Sequence, residues 1–280
     1  MSKRSAAVAT APVGPAPERL CLLSSALPDA SAQVVAERAR DAGFHAVEWG
    51  VGPDQVTTGK RKEARGLLEL AAFHGLEIVA VTVQSGPAGL DKPASIKPLA
   101  AFAADLGAPY LRLWTPGYGG GPVADELRKR RAALAQAVEI TAAHGIVLLL
   151  ENHPDSLAPS TTLTRELIDA HRPDEVGVLW DPGNGIIEGH LDPRLAIADL
   201  GAYLHHVHVK NIAWRRSGGV WSWSYVSLAT GMLDWVALLR ALAAAGYRGR
   251  LSIDHLPGAA TAATLRREAA ALRSLLETAR

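Results

Sequence analysis

The stretch "GIVLLLENHPDS" (residues 145–156) joins a glycine, a run of apolar residues and two titratable side chains in one unit. The glycine follows a segment of helical periodicity, and glycine is favoured where a helix ends in a left-handed cap. The apolar run that comes next is typical of a buried strand. A buried strand has no need of Glu151 and His153 at its end. This end of the strand therefore either meets water or carries chemistry.

The same unit recurs about eight times along the chain. The predicted strands cover residues 19–25, 45–50, 76–85, 109–114, 146–153, 176–182, 204–211 and 250–255. The predicted helices cover residues 31–42, 60–74, 93–106, 123–144, 162–171, 192–202, 234–245 and 259–278. Glycines that end a helix just before the next strand are Gly43, Gly75, Gly107, Gly145 and Gly246. Eight βα units in 280 residues predict an α/β fold, a closed (β/α)8 TIM barrel in a single domain.

The alternative arrangement of these units is an open doubly wound sheet. Against it, the first predicted strand is followed by "SALPDAS" (25–31), which lacks the glycine-rich phosphate turn of that fold. We predict that residues 19–280 form the barrel and that residues 1–18 form a disordered N-terminal tail. Residues 115–122 and 211–231 are predicted to be loops over one face of the barrel.

The amino-acid composition of the chain argues against several classes of binding partner and binding site. The chain has 29 basic and 28 acidic residues, so it has no basic excess that would favour a nucleic-acid partner. Its single cysteine, Cys21, excludes an internal disulfide and a cysteine-based zinc site. We find no apolar run long enough to span a bilayer. The N-terminus lacks the apolar core of a secretory signal, so a cytoplasmic location is expected.

Polar residues stand at the ends of the predicted strands. In a barrel the carboxyl ends of the strands form one rim, and residues two apart in a strand share a face. Strands two to four end with Glu48, Gln84 and Arg112, and the last four strands end with Glu151, Asp181, His208 and Asp254. A lone acid at a strand end is ordinarily a solvated cap, but four consecutive strands with this ending favour a metal site. Three carboxylates and one imidazole suit Mn²⁺, Mg²⁺, Co²⁺ or Zn²⁺.

Other side chains at the same rim are candidates for contact with a substrate. By alternation Arg112 points inward with Trp114, and it either pairs with a neighbour such as Glu48 or holds a substrate. The same two roles are open to Glu48. His153 either orients a substrate and shuttles protons or is a hydrogen-bonded loop residue. His206 is expected inside the barrel.

The seventh strand and the segment after it add further candidates. Lys210 at the rim either binds an oxyanion or a hydroxyl group of the substrate or is an ordinary solvated lysine. Trp221, Trp223 and Tyr225 alternate, so they share one side of the segment. They either cover one face of a hairpin loop or form an aromatic wall for a sugar ring. Because aromatic residues make up only 5% of the chain, this cluster favours a bulky or partly apolar substrate.

Four motifs resemble a known group of enzymes. They are "ENH" (151–153), "WDPGN" (180–184), "HVHVKN" (206–211) and the segment from "TGMLDW" to "LSIDH" (230–255). Together they are similar to the sugar phosphate isomerase/epimerase superfamily, the xylose isomerase-like TIM barrels. That superfamily also contains tagatose and psicose 3-epimerases, inosose dehydratases, 3-dehydroshikimate dehydratases and endonuclease IV. The similarity extends from Arg19 to the C-terminus.

The resemblance implies a site and a chemistry. It implies metal ligands at Glu151, Asp181 and His208, with the fourth at Asp254 where the family has glutamate. It also implies that Glu151 and Asp254 act as the acid/base pair. Asn184 stands where many relatives carry a substrate-placing histidine. The shorter Asp254 departs from the two-glutamate pattern of the epimerases.

The implied activity is a divalent-metal-dependent isomerisation or epimerisation of a keto sugar or sugar derivative. A proton is removed next to a metal-bound carbonyl and an enediolate forms. The alternative is a lyase that dehydrates an inosose-, dehydroshikimate- or 3-keto-glycoside-type substrate. A non-catalytic barrel subunit is a remote alternative, and Asn184 with the near-zero charge opposes an abasic-site endonuclease. The resemblance further implies a homo-oligomer, either a dimer or a tetramer.

Overall fold

A computed structural model describes residues 17–52, 56, 61–83, 89–189 and 192–280 of the chain. Eight parallel strands close into a barrel in which each strand pairs with its neighbours in the order β1-β10-β7-β6-β5-β4-β3-β2. The barrel strands are β1 (Leu20–Leu23), β2 (Ala46–Val51), β3 (Glu77–Val83), β4 (Tyr110–Trp114), β5 (Val147–Glu151), β6 (Val176–Trp180), β7 (Leu204–Val209) and β10 (Leu251–Ile253). The predicted single-domain TIM barrel is confirmed.

Helices pack around the outside of the strands. They are α1 (Ala32–Asp41), α2 (Arg61–Phe73), α3 (Lys97–Asp105), α4 (Val123–Ala142), α5 (Thr161–Ile168), α6 (Pro182–Glu188), α7 (Pro193–Leu200), α8 (Trp235–Ala244) and α9 (Ala262–Thr278). The five glycines predicted to end helices all have φ between 64° and 80°. Side chains other than glycine rarely adopt this conformation, so these positions return the chain to the barrel.

The strands are apolar because helices or barrel interior cover both of their faces. In β5 the side chains of Leu148, Leu149 and Leu150 are fully buried, and Glu151 is 1% exposed. The run of apolar residues in the opening stretch is therefore required by burial on both sides. Glu151 is the exception, since it is a buried carboxylate at the carboxyl end of its strand.

Residues 211–231, predicted to be a loop, instead contain an antiparallel hairpin. Its strands are β8 (Asn211–Ser217) and β9 (Val220–Val226), paired from Asn211 opposite Val226 to Ser217 opposite Val220. The turn is Gly218-Gly219, and both residues have positive φ, 58° and 83°. A two-residue glycine turn matches the twist of a hairpin, so "RRSGGVW" forms the hairpin that was one of the two alternatives for the aromatic cluster.

Helix α6 has no counterpart among the predicted helices. Its sequence, "PGNGIIE", contains one proline and two glycines and therefore resembles a loop. The helix forms because Asp181 caps it, accepting from the backbone N–H of Asn184 at 2.9 Å, and because proline is tolerated in the first turn. The cap places the Asp181 carboxylate at the carboxyl end of β6.

Two predictions fall outside the described part of the chain. Gln84 lies beyond the described end of β3, and the first 16 residues of the predicted N-terminal tail are likewise outside it. Within the described ranges, no helix has both the length and the apolar character needed to cross a membrane.

Candidate metal centre and substrate pocket

The four predicted ligands come together at the carboxyl end of the barrel. The Nδ1 atom of His208 lies 3.2 Å from Glu151 Oε1. The same atom lies 3.6 Å from Asp254 Oδ2 and 3.8 Å from Asp181 Oδ2. All four side chains are at most 2% exposed. Strand ends separated by up to about a hundred residues in sequence thus present three carboxylates to one imidazole nitrogen.

This group of side chains fits a divalent cation. Glu151, Asp181 and His208 offer ligand atoms within 4.8 Å of one another. Asp254 adds a carboxylate whose Oδ2 lies 3.6 Å from His208 Nδ1. Three buried carboxylates that converge on one point repel one another, and a cation between them would offset this repulsion. Oxygen ligands with one imidazole suit Mg²⁺, Mn²⁺, Co²⁺ or Zn²⁺.

The charge on His208 depends on the surrounding carboxylates. Burial alone would lower the pKa of His208, but Glu48 and Glu151 outweigh burial and raise it well above its ordinary value. The imidazole is therefore protonated at neutral pH in the absence of a bound cation. A proton on Nδ1 and a cation at Nδ1 exclude each other, because both use the same lone pair.

We therefore expect cation binding to release a proton from His208. A raised pKa favours the folded, protonated form at low pH, and this contribution is lost as the pH rises through the folded-state pKa. Apparent affinity for Mn²⁺ should accordingly fall as the pH is lowered. Calorimetric titration with Mn²⁺ at pH 7 in two buffers of different ionisation enthalpy measures the number of protons released. Heats that do not depend on the buffer would contradict the expectation.

Lys210 lies deeper than predicted. It is 2% exposed, and its Nζ lies 2.5 Å from Asp181 Oδ2 and 2.9 Å from Asp254 Oδ2. Burial would lower the pKa of Lys210, but these two carboxylates outweigh it and raise the pKa. The ammonium group is thus charged and paired with two of the four candidate ligands. This burial corrects the alternative of a solvated lysine, and the binding of a substrate oxyanion or hydroxyl group stays a prediction.

Gly183 makes the position of Lys210 possible. A Cβ atom at Gly183 would lie 2.6 Å from Cγ of Lys210, which is too close for any side chain. The glycine in "WDPGN" therefore lets the lysine stem pass against the first turn of α6.

Arg112 and Trp114 converge on Glu151. The Nε of Arg112 lies 3.1 Å from Glu151 Oε2, and its Nη1 donates to the carbonyl of Val83 at 2.9 Å. Trp114 Nε1 donates to the same Glu151 oxygen at 2.5 Å. Burial would raise the pKa of Glu151, but Arg112 and then His208 outweigh it and lower the pKa. The partner of Arg112 is thus Glu151 and not the suggested Glu48.

Glu48 lies below the rim, inside the barrel. It is fully buried, and its Oε1 lies 2.5 Å from His206 Nε2. Its Oε2 accepts from Thr82 Oγ1 at 3.1 Å and lies 3.4 Å from His208 Nε2. Burial would raise the pKa of Glu48, but the two histidines outweigh it and lower the pKa well below its usual range. The predicted substrate contact is therefore placed against the imidazole of His208, and His206 lies inside the barrel as expected.

Two asparagines connect the "ENH" and "WDPGN" motifs. Asn152 exchanges hydrogen bonds of 2.8 Å with the backbone N–H and C=O of Asp181. Asn184 Nδ2 donates to Glu151 Oε1 at 3.2 Å and to the carbonyl of Asn152 at 3.0 Å. Asn184 was predicted to contact substrate, and in the structure it orients Glu151. The role of Asn152 was missed, although an amide between two predicted ligands is the residue type that cross-links strand ends.

His153 and Trp114 form one wall of a pocket beside this centre. Their ring centres are 4.3 Å apart, and His153 Nδ1 lies 2.6 Å from the carbonyl of Pro154. The cavity measures about 360 Å³, and its lining includes the carboxylates of Asp91 and Asp155. A cavity of this size accepts a sugar-sized molecule. Both predicted residues therefore face a pocket that adjoins Glu151.

The base of the hairpin covers the side of the site near Asp254. Tyr225 stacks on His255 with ring centres 4.3 Å apart, and His255 Nδ1 lies 2.8 Å from Asp254 Oδ2. Burial raises the pKa of Tyr225 to about 12. Trp223 packs edge-on against Tyr225 at 5.2 Å, whereas Trp221 is 62% exposed. Of the two predicted tryptophans, the structure links Trp223 to the site, through Tyr225 and His255, and leaves Trp221 outside.

The sequence also matches a family model. The model described as "Xylose isomerase-like TIM barrel" matches residues 36–275, which is most of the chain. The chain belongs to this family. The predicted resemblance is confirmed, and the candidate centre described above occupies the carboxyl end of a xylose isomerase-like barrel.

Solved structures share the fold at low sequence identity. A D-tagatose 3-epimerase-like protein is 19% identical, with a TM-score of 0.77 over 92% of this chain and 97% of that chain. A probable 3-DHS dehydratase from Bacillus anthracis, involved in petrobactin synthesis, is 18% identical, with a TM-score of 0.70 over 91% and 98%. A xylose isomerase-like TIM barrel protein from Mycobacterium smegmatis, in complex with magnesium, is 18% identical, with a TM-score of 0.69 over 90% and 91%. No curated protein gives a significant match to the sequence.

Proposed function

We propose that this xylose isomerase-like barrel is a divalent-metal-dependent isomerase or epimerase of a keto sugar or sugar derivative. The observation that carries the proposal is the convergence of Glu151, Asp181 and Asp254 on Nδ1 of His208. These groups lie at the carboxyl end of the barrel, which is where active sites of this architecture form. Mn²⁺, Mg²⁺, Co²⁺ and Zn²⁺ all suit the ligand set.

The two candidate acid/base carboxylates, Glu151 and Asp254, differ in how many of their oxygens already have partners. When bound, a divalent cation supplies Lewis-acid polarisation of a substrate carbonyl, which acidifies the neighbouring C–H. Glu151 already uses both oxygens, one toward His208 and Asn184 and the other toward Arg112 and Trp114. These contacts hold Glu151 in one orientation as a ligand.

Asp254 keeps an oxygen for proton transfer. Its Oδ2 is paired with Lys210 and His255, whereas its Oδ1 has no hydrogen-bond partner among the described residues. Burial would raise the pKa of Asp254, but Lys210 and then His255 outweigh it and lower the pKa, so the carboxylate is ionised. We infer that Asp254 Oδ1 accepts the substrate proton and returns it to the neighbouring carbon of the enediolate, which is an isomerisation. An epimerisation also requires a proton donor on the opposite face of the same carbon. The stacked rings of Tyr225 and His255 keep this carboxylate in place.

The pocket supports a sugar-like substrate. The rings of Trp114 and His153 line the pocket and can pack against the C–H face of a sugar ring, and Asp91 and Asp155 can accept hydrogen bonds from hydroxyl groups. On the hairpin side, Trp223 is linked to the site through Tyr225 and His255, and Trp221 would contact only a substrate that reaches beyond the rim.

One observation favours a lyase as the second candidate. Among the described residues, one carboxylate oxygen of the Glu151–Asp254 pair has no partner, so this atom is the one placed to move the proton. In a syn elimination one carboxylate removes the proton next to a carbonyl and then delivers it to the departing hydroxide, which leaves as water. Inosose- and dehydroshikimate-type substrates have the required β-hydroxy ketone. A 3-keto-glycoside-type substrate carries its glycosidic oxygen at the β position, so the proton there goes to the departing aglycone, which leaves as an alcohol.

A single assay separates these activities. Protein loaded with Mn²⁺ is incubated in D₂O with keto sugars, inososes, 3-dehydroshikimate and 3-keto-glycosides, and followed by NMR and ultraviolet absorbance. Deuterium entering the carbon beside the carbonyl supports epimerisation or isomerisation, and a new enone absorbance supports dehydration. The matched control is Asp254→Asn, which should lose either signal. Full metal content without deuterium exchange or enone formation would overturn both activities and favour a non-catalytic subunit.

Assembly and location are further proposals. We propose a homo-oligomer, a dimer or tetramer, in the cytoplasm, without a nucleic-acid or membrane partner. Light scattering coupled to size exclusion measures the assembly, and a monomeric mass would contradict it.

A further inference from the structure

The two ring nitrogens of His208 face different groups. Nδ1 points to the three candidate ligand carboxylates, and Nε2 lies 3.4 Å from Oε2 of Glu48. In a neutral imidazole one nitrogen carries the proton and the other carries the lone pair. Which nitrogen is free therefore decides whether His208 can bind a cation among Glu151, Asp181 and Asp254.

Glu48 is surrounded by groups that can donate. Thr82 Oγ1 donates to Oε2 at 3.1 Å, and His206 Nε2 lies 2.5 Å from Oε1. An ionised carboxylate has about four acceptor positions and no proton to give. Thr82 and His206 use two of these positions. Because the carboxylate has no proton to give, the contact with His208 Nε2 is a hydrogen bond only if Nε2 carries the proton.

His206 fits the same assignment. Its Nδ1 is buried with no hydrogen-bond partner among the described residues. If Nε2 of His206 donates to Glu48, Nδ1 carries only a lone pair, and a buried N–H without an acceptor is avoided. The group Glu48, His206 and His208 has spacing that could itself hold a metal ion. The close approach of Glu48 to His206 is instead that of a direct hydrogen bond.

We propose that Glu48 is a positioning residue that holds the proton of His208 on Nε2 and leaves Nδ1 free for the cation. The proposal rests on the proposed metal-dependent function. It gives the buried glutamate of β2 a role that requires no contact with substrate. Carboxylates that accept from the second nitrogen of a ligand histidine fix its tautomer and orientation, and their loss typically weakens metal binding about 10–100-fold.

Nitrogen NMR tests the tautomer directly. Protein labelled with ¹⁵N-histidine is recorded with Zn²⁺ bound, and the signals of His208 are assigned by comparison with His208→Asn. We expect Zn²⁺ on Nδ1 and a proton on Nε2. Zn²⁺ on Nε2 would overturn the proposal. In chelator-treated protein, at a pH above the His208 pKa, the Nε2–H tautomer is expected as well, so the tautomer is tested even if no cation binds.

Variants of Glu48 test the consequence. Glu48→Ala is expected to weaken Zn²⁺ binding by about 10–100-fold and to give a mixture of His208 tautomers. Glu48→Gln should weaken Zn²⁺ binding less than Glu48→Ala does, because its amide can still accept a hydrogen bond from one of the two histidines. The control is Glu268→Gln in α9, a carboxylate that is 1% exposed and accepts from Ser227 Oγ and Leu228 N. It should lose stability without losing Zn²⁺ affinity.

The outcomes distinguish this proposal from the proposed function. If Glu48→Ala keeps both the wild-type tautomer and the wild-type Zn²⁺ affinity, the role of Glu48 is refuted while the metal centre stands. If the wild-type protein binds no divalent cation and Glu151→Gln changes nothing, the proposed function fails. The tautomer measured without metal then still decides the role of Glu48.

Discussion

Glu151→Gln is expected to weaken Mn²⁺ binding more than about 100-fold, because groups that merely support a ligand already contribute about 10–100-fold. Its Oε1 lies 3.2 Å from His208 Nδ1, and both of its oxygens are held by fixed donors. The glutamine keeps the shape of the side chain and loses the charge. Isotope exchange of the substrate should fall to background. Calorimetry with Mn²⁺ and the D₂O assay measure the two effects.

The same substitution leaves a buried charge unpaired. Arg112 is 1% exposed, and its carboxylate partner is Glu151. Removing one member of a buried ion pair typically costs about 3–5 kcal/mol. Denaturant unfolding of chelator-treated protein should show a loss of this size. The double variant Glu151→Gln with Arg112→Met should recover part of the stability and none of the activity. Wild-type Mn²⁺ affinity in the single variant would refute the role of Glu151 as a ligand.

The barrel could be predicted from the sequence because each of its strands and helices is indicated by residues within the same short segment. Each helix-ending glycine marks a position of positive φ, and each apolar run marks a strand buried on both faces. The convergence of Glu151, Asp181, His208 and Asp254 was also predictable, because the carboxyl ends of all barrel strands meet at one rim. The position of each residue at the end of its strand is therefore enough to predict which side chains meet at the carboxyl end of the barrel.

The partners of individual side chains could not be predicted in the same way. His206, His208 and Lys210 share one face of β7 and its end, yet their partners differ. His206 contacts Glu48 inside the barrel, His208 lies between Glu48 and the candidate ligands, and Lys210 pairs with Asp181 and Asp254. Depth along the barrel axis depends on the stagger between strands, such as the register shift between Val178 and Leu179 in β6. Alternation with a period of two residues shows which face of the strand a side chain lies on. It does not show how far neighbouring strands are shifted along the barrel axis. For this reason periodicity could only suggest Glu48 as one partner of Arg112, whereas Arg112 pairs with Glu151 and Glu48 with His206.

The β8–β9 hairpin shows a second reason why the sequence does not predict which side chains reach the site. Asn211 accepts from Leu233 N at 3.0 Å and donates to the carbonyls of Leu228 and Leu233, so it pins the segment that follows β9. Gly231 lies so close to Asn211 that no Cβ would fit. These long-range contacts fix Tyr225 over His255, and they depend on a fold that must already exist. Sequence alternation indicated that the aromatic residues share a side, and only the contacts show which of them reaches the site.

Lys210→Met is expected to strengthen cation binding and to weaken the protein when no cation is present. The ammonium lies 2.5 Å from Asp181 Oδ2 and 2.9 Å from Asp254 Oδ2, and the same two oxygens face His208 Nδ1. A cation among these ligands is repelled by the lysine charge. Two unit charges at about 4 Å repel by about 4 kcal/mol at an effective dielectric constant of about 20, so a gain of tenfold or more is expected.

Thermal and denaturant unfolding with and without Mn²⁺ measure both parts of this expectation. In chelator, Asp181 and Asp254 lose the lysine that pairs with both of them, and the variant should be less stable by about 3–5 kcal/mol. With Mn²⁺ the difference should shrink, because a ligand that binds only the folded state stabilises it in proportion to the logarithm of its concentration over Kd. Lys129→Met, on the exposed side of α4, removes the same charge elsewhere and should change neither quantity. If Lys210→Met binds Mn²⁺ no better than wild type, then Lys210 supports the geometry of Asp181 and Asp254 and does not compete with the cation.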